Sequence, residues 1–374
     1  MQKLNLIILS ILLLCACNSG STANKETPAQ HPLITDSVKT AETVKETNLP
    51  PLKNEEVNLT ENDFGEIIEL KGTTHPVKNF FDVCIGLKAK DTLLIITKYG
   101  KGCIMAFSLP SFKLVKSIAN EGKGPGEYFE PSLVNVEKDS SLCYIYNRGA
   151  GELNILDKNL KVNPNHIKLK TTSPFSSKQI YGLSPIHFLY VEAIDKGKAV
   201  FEHIITGDSS STKQIYNLAF SDKHKNWAAY IGDFGANGSK KRFVYAYKYF
   251  KRLVFHDLEN NTTKVVNFKA APAIPGNAKD MLAPTNVTHY WGISAQKDYV
   301  YLLYSGRTPI QVTKENNKTS GYIYVEQFDW NGNPIRKFKL DHWGYFCVND
   351  AENTIILAST TELDPFFTYN IPAL

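Results

Sequence analysis

The stretch AKDTLLIIT, residues 89–97, sets a polar turn at Asp91 directly before an unbroken apolar run rich in isoleucine and leucine. Such a run, bounded by turn residues, reads as a short strand buried on both faces. The same unit returns as EKDSSLCYIY (137–146), AIDKGKAVFEHI (193–204), YFKRLVFHD (249–257), QKDYVYLLY (296–304) and DAENTIILA (350–358). Its turn positions, Asp91, Asp139, Asp195, Lys251, Asp298 and Asn353, recur roughly every 50 residues, a spacing that matches propeller blades.

A second element follows several of these turns, in which a strand leads through a tight turn into another strand. It appears as FSLPSFKLVKSI (107–118), LNILDKNLKVNPNHI (153–167), VFHDLENNTTKVVNF (254–268) and EQFDWNGNPIRKFKL (326–340). Asn331-Gly332 and Lys158-Asn159 suit hairpin turns that need positive φ. About four strands per repeat predict an all-β chain folded as a six-bladed β-propeller of four-stranded blades. The last repeat offers only YFCV, TIILAS and FFTYN before Leu374. Its blade is one strand short, and GEIIEL (65–70) is the expected N-terminal strand that completes it and closes the ring.

Between the first and second repeats lies EGKGPGEYFEP (121–131), with three glycines and a proline in a charged stretch. There the chain must turn sharply toward the axis. Glycine permits positive φ and close backbone approach, Pro125 fixes φ, and Tyr128 and Phe129 can anchor the loop. The extended segment GKGPGEYFEPSLVNVEKDSSLCYIYN (122–147) is similar to the G-x-G-P-G-E-[FY]-x-x-P segment of TolB-like six-bladed β-propeller lipoproteins of Bacteroidota, and more loosely to the NHL repeat. The resemblance implies a fold and an envelope setting, and brings no catalytic residues with it.

The N-terminus agrees with that setting. MQKLNLIILSILLLCAC places Lys3 before an apolar run from Leu4 to Leu14, which fits a signal-peptide core and is too short to span a bilayer. Leu14-Cys15-Ala16-Cys17 resembles a lipobox, so residues 1–16 are expected to be removed and Cys17 to carry lipid. The alternative is an ordinary secretory signal. Residues 17–61 are rich in Thr, Lys, Glu, Asn and Pro without a sustained apolar period, and are expected to be a flexible stalk ahead of a propeller at 62–374. The expected location is the cell envelope, anchored to the outer membrane and facing the periplasm, as a monomer.

A net charge of +5 over 374 residues is too mild for a nucleic-acid partner. Cys84, Cys103, Cys143 and Cys347 have apolar neighbours and suit small buried strand residues. The nine histidines show no metal-ligand spacing, and neither a G-x-S-x-G elbow nor a phosphate-binding loop occurs, so no cofactor is expected. Phe243, Tyr245, Tyr247 and Tyr249 alternate along one face of a strand, reading as a blade core face rather than a stacking surface.

Polar and aromatic groups near the first strands of blades are the candidates for a central pocket. These are Asp82, Glu127, Tyr128, Arg148, Trp291 and Arg307, with Gly124 and Gly126 of the glycine loop beside them. Two functions compete, beside a third reading as a purely structural envelope component. One is a non-enzymatic binding or scaffold propeller for a protein, peptide or glycan. The other is a propeller hydrolase or lactonase with a metal at the axis, which needs several Asp, Glu, Asn or His side chains converging there.

Overall fold

The computed structural model describes residues 49–77, 83–169, 179–224, 226–269, 283–319 and 321–374, and Cys17, Asp82 and residues 17–48 of the expected stalk lie outside them. Among the described residues six blades of antiparallel strands follow one another along the chain, the second and third joined in one eight-stranded sheet by a parallel pairing of their inner strands. Blade 1 comprises Cys84–Lys90, Leu93–Lys98, Ile104–Ser108 and Leu114–Ala119. Blade 2 comprises Ser132–Val136, Cys143–Asn147, Glu152–Leu156 and Val162–Lys168. Blade 3 comprises Gln179–Ser184, His187–Ile194, Gly197–Thr206 and Ser209–Asn217. Blade 4 comprises Gly232–Asn237, Arg242–Tyr247, Arg252–Asp257 and Thr262–Phe268. Blade 5 comprises Thr288–Ala295, Tyr299–Arg307, Ile323–Asp329 and Pro334–Leu340. Blade 6 comprises Gly344–Asn349, Thr354–Ser359 and Phe366–Asn370.

The first strand of each blade lies beside that of the next, and the sixth returns to the first, so the inner strands surround an axis. Apolar clusters fill the seams between neighbouring blades. Ile104, Ala106, Ile145 and Leu156 pack between blades 1 and 2, and Tyr301, Val325, Phe346 and Leu357 between blades 5 and 6. The alternating aromatics Phe243, Tyr245, Tyr247 and Tyr249 are buried in the seam between blades 3 and 4, as their spacing predicts. All four C-terminal cysteines are buried and unbridged. Burial pushes the thiols of Cys103 and Cys143 up to about 11 and that of Cys347 up to about 12, so they behave as small apolar side chains.

In two blades the repeat is phased differently from the sequence reading. Asp195 turns between the second and third strands of blade 3, and Lys251 sits between the second and third strands of blade 4. The turns between first and second strands there are Pro185-Ile186 and Gly238–Lys241. An apolar residue in the first and a polar run longer than two residues in the second hid them from a search for short polar turns.

The N-terminal segment departs further from expectation. Residues 49–61 belong to the packed body: Leu52 is buried, Glu55–Leu59 pairs in parallel with Thr262–Phe268 of blade 4, and Glu61–Phe64 forms a 3-10 turn that buries Phe64 between blades 4 and 5. Ile67–Leu70, expected to complete the last blade, instead pairs in parallel with the fourth strand of blade 5. The fourth strand of blade 6 is Thr73–His75, antiparallel to Phe366–Asn370. A parallel edge partner separated by some 200 residues leaves no local pattern, whereas the match in apolar composition did suggest the shorter route. The result is a belt that runs over the outer edges of three successive blades.

Candidate functional site

The inner strands of blades 1, 2, 4, 5 and 6 contribute residues to one cavity of about 400 Å³. Its wall takes Ile85 and Leu87 from blade 1, Ser132 and Leu133 from blade 2, Asp233 from blade 4, Trp291 and Ile293 from blade 5 and Tyr345 and Phe346 from blade 6. Tyr99, Glu130 and Arg148 join them from the loops on the same face. Local sequence explains the placement. Gly232 and Gly344 open their strands because a Cβ at either would meet the carbonyl oxygen of Ala246 or Ala358 at 2.2 Å. Only glycine lets the inner strand start so close to its neighbour, and the next residue, Asp233 or Tyr345, then faces the axis.

Charge is distributed on opposite walls. Arg148 forms an ion pair with Glu130, and Glu130 is held at φ +46°, a left-handed conformation that costs a non-glycine residue about 1 to 2 kcal/mol. Across the cavity, Asp233 accepts a hydrogen bond of 3.2 Å from Gln179 Nε2, which also donates to the Gly232 carbonyl at 2.7 Å. Burial raises the Asp233 carboxyl to about 6, against the pull of Lys248 and Lys198. Burial likewise lowers the ammonium groups of Lys248 and Lys198 to about 8. The Lys248 ammonium lies 3.9 Å from the centre of the Trp291 ring.

Toward the far end of the inner strands a hydrogen-bonded chain ties four blades together. Lys88 Nζ donates to Asn135 Oδ1 at 2.5 Å, Asn135 Nδ2 to the Tyr181 hydroxyl at 2.9 Å, and Tyr181 to Glu137 Oε1 at 2.8 Å. Glu137 also accepts from the Gly238 amide at 2.7 Å. Satisfied polar groups of this kind fix the register of a core. The belt enters on this far side, where Arg242 donates to the Pro50 carbonyl.

Of the sequence candidates, Arg148 and Trp291 line the cavity. Gly124, Gly126, Glu127 and Tyr128 of the glycine loop do not, although Glu130 and Pro131 at its end do. Glu127 folds back on the loop, accepting from the Gly124 amide at 2.8 Å, and a Cβ at Gly122 would sit 1.9 Å from its carboxylate. Gly126 takes φ +75°, and Tyr128 is buried between blades 1 and 2. The loop is therefore a packed connection whose glycines make room for its own acid. Arg307 is also structural: it pairs with Glu315 of the helix Pro309–Asn316 and stacks 3.8 Å from the Tyr322 ring, clasping that insertion to blade 5. Asp233, Glu130, Tyr99 and Tyr345 were missed because each is a single residue on a different blade. The glycine that precedes an inner-strand residue, as in Gly232-Asp233 and Gly344-Tyr345, is the signal that could have found two of them. Among the described residues no group of three or more His, Cys, Asp and Glu side chains is arranged to hold a metal ion.

Comparison with known proteins bears on the fold. No curated protein matches the sequence. Two solved structures share the architecture. One is a Bacteroides fragilis protein described as exported, with 12% identity, 85% of this chain and 97% of that chain covered, and a TM-score of 0.52. The other is a Bacteroides vulgatus member of a family defined only as a domain of unknown function, with 13% identity, 82% and 98% covered, and a TM-score of 0.52. Residues 63–351 match the family described as TolB-like 6-blade propeller-like, and with more than half its length matched, this chain belongs to that family.

Proposed function

We propose that the protein is a cell-envelope lipoprotein, anchored to the outer membrane through Cys17 and facing the periplasm, whose propeller captures a glycan, peptide or protein segment without transforming it. The observation that carries this reading is the axial cavity of about 400 Å³, within the range of small-ligand sites, lined by aromatic rings with charged groups fixed on opposite walls. Aromatic rings beside placed polar groups are what orient a bound molecule. The lipobox-like Leu14-Cys15-Ala16-Cys17 and the description of a structural relative as an exported protein support the location.

The binding test is a panel of glycans and peptides titrated against the full chain and against Trp291→Ala and Arg148→Ala. Capture by the parent chain that weakens in both variants supports the reading, and capture indifferent to both places the ligand elsewhere. Anchoring is tested separately. Cys17→Ser should move the protein from the membrane fraction to the soluble periplasmic fraction, and continued lipid labelling of that variant would exclude Cys17 as the attachment point.

A further inference from the structure

Apart from the cavity, we infer that the outer edge of blade 3 is a docking strand, onto which an acidic, extended segment of a partner protein adds in parallel. The protein already uses this mode on itself. Glu55–Leu59 adds in parallel to the fourth strand of blade 4, and Ile67–Leu70 to that of blade 5. In each case a glutamate of the added strand stands opposite a lysine of the blade. Glu55 faces Lys264 with their charged atoms 3.6 Å apart, and Glu69 faces Lys339 at 2.8 Å.

Propellers ordinarily leave only short, protected edges. The three blades outside the belt differ in how theirs are guarded. In blade 1 the edge strand Leu114–Ala119 is broken by two register shifts, and that of blade 2, Val162–Lys168, contains Pro164, which has no N–H to offer. Blade 3 ends on Ser209–Asn217, which has neither proline nor acid. Its pairing with the third strand is unbroken from Ser209 to Gln214, and every residue of that run is exposed. Among the described residues no strand covers its outer side. Thr206 and Ser209 flank a two-residue turn with φ +57° at Gly207, the geometry of a tight hairpin. Backbone groups alternate in direction from there, so Ser210, Thr212 and Gln214 turn theirs outward, as strand addition requires. Lys213 pairs with Glu202 at 2.8 Å, yet its side chain stays 70% exposed. It offers an incoming strand what Lys264 and Lys339 offer the belt, which favours an acidic segment. A second copy of the chain would bring to this edge the same lysine and no acid.

The experiment titrates the full chain with a capped peptide of the belt sequence Asn-Glu-Glu-Val-Asn-Leu-Thr, residues 54–60. Two counterparts accompany it, one with both glutamates replaced by lysine and one N-methylated at alternate residues. Fluorescence anisotropy of the labelled peptide and hydrogen exchange across residues 209–217 are the readouts. The acidic peptide should bind and slow exchange at Ser210, Thr212 and Gln214, and neither counterpart should. Lys213→Gln should weaken binding about two- to fivefold, as loss of one cross-strand ion pair does. Gln214→Pro should abolish it, and the N-methylated peptide makes the same test on the unaltered chain. Binding that survives N-methylation, or that is lost in Trp291→Ala, puts the peptide elsewhere and overturns the inference. Slow exchange of these amides in the free chain also overturns it, in favour of a segment of the chain itself, or of a second copy where the slowing grows with protein concentration. Failure of the acidic peptide to bind overturns it outright and leaves cavity capture untouched.

Discussion

Blades 4 to 6 differ from blades 1 to 3 in how their outer edges end. The first group takes a strand from the N-terminal belt on each blade, at Glu55–Leu59, Ile67–Leu70 and Thr73–His75. The second group ends on its own fourth strands, with Val115 half exposed and Ser209–Asn217 mostly solvated. The seams differ in kind as well. Between blades 1 and 2 the core is apolar, whereas between blades 4 and 5 the fully buried Glu326 lies 3.2 Å from Lys251 and 3.0 Å from Lys337 and accepts from the Tyr290 hydroxyl at 3.0 Å. Glu61 of the belt then pairs with both lysines. Burial by itself would raise the Glu61 carboxyl, and Lys251 and Lys337 together hold it below the usual range. Two buried ammonium groups sharing one carboxylate are poorly balanced, and breaking such a cluster is far costlier than never building it. The belt is therefore part of the half-ring that contains it, rather than a covering laid over a finished propeller.

Deleting residues 49–71 should have the largest effect. It removes Leu52 and Phe64 from the core, each worth about 1.5 to 3 kcal/mol of burial, takes the fifth strand from blades 4 and 5 and leaves Lys251 and Lys337 with Glu326 alone. The product should aggregate or lose its cooperative transition in thermal circular dichroism. A deletion that melts within a few degrees of the parent would show the belt to be dispensable. Phe64→Ala isolates the wedge. Its ring packs edge-on to Phe328 at 5.3 Å, and truncation should cost about 3 to 5 kcal/mol in urea denaturation. Val115→Ala, on an uncovered edge strand of blade 1, should cost under about 0.5 kcal/mol. Equal losses at the two positions would erase the distinction between the half-rings.

Acid should also find the belted half first. Burial lowers His289 of blade 5 and His256 of blade 4 to about 4, and both rings are almost wholly enclosed. In the unfolded chain each takes its proton near the ordinary value of 6.5, so the unfolded state binds more protons between 6.5 and 4. Stability is therefore full above about pH 6.5 and declines as pH falls, by up to about 3 kcal/mol per histidine at pH 4. His289→Gln should flatten the decline between pH 7 and 4.5. An unchanged slope in that variant would assign the acid sensitivity to other groups.

Much of this architecture was readable from short patterns. Blade number followed from polar turns before apolar runs, and the turn at Asn331-Gly332 holds φ +71° at Gly332 as a tight hairpin requires. The belt was not readable, because EEVNL carries too few apolar residues to announce a strand and its partner lies in another part of the chain. Within the site, Arg148 and Trp291 were legible because they stand beside strong strand signals. Asp233 was not, since the same GDFGAN segment that presents it to the axis is also an unremarkable strand start. A ring of blades assembles its cavity from short pieces of several repeats, at 85–87, 130–133, 233, 291–293 and 345–346, and no single window of sequence holds them all.

A further effect, smaller than that of either histidine, falls on the boundary between the two half-rings, at Asp233 of blade 4, which is held by Gln179 of blade 3. Burial has raised its carboxyl from the usual 3.8 to about 6, so the folded state binds the proton more tightly than the unfolded chain does. The sign is opposite to that for the histidines. Asp233 costs nothing below about pH 3.8 and becomes destabilising as pH rises through 6. A full shift corresponds to about 3 kcal/mol, and partial access to the cavity reduces this to about 1 to 2 kcal/mol at pH 8. Asp233→Asn keeps the shape and removes the charge. Urea denaturation should show it stabilised by that amount at pH 8 and indistinguishable from the parent at pH 4, while its affinity for a ligand captured in the cavity falls. Greater stability together with intact binding would separate Asp233 from the ligand and leave it a packing defect at the junction of the braced and unbraced blades. Lower stability at pH 8 would show instead that Lys198 and Lys248 depend on the carboxylate, placing the boundary's strength in that charge cluster rather than in the belt.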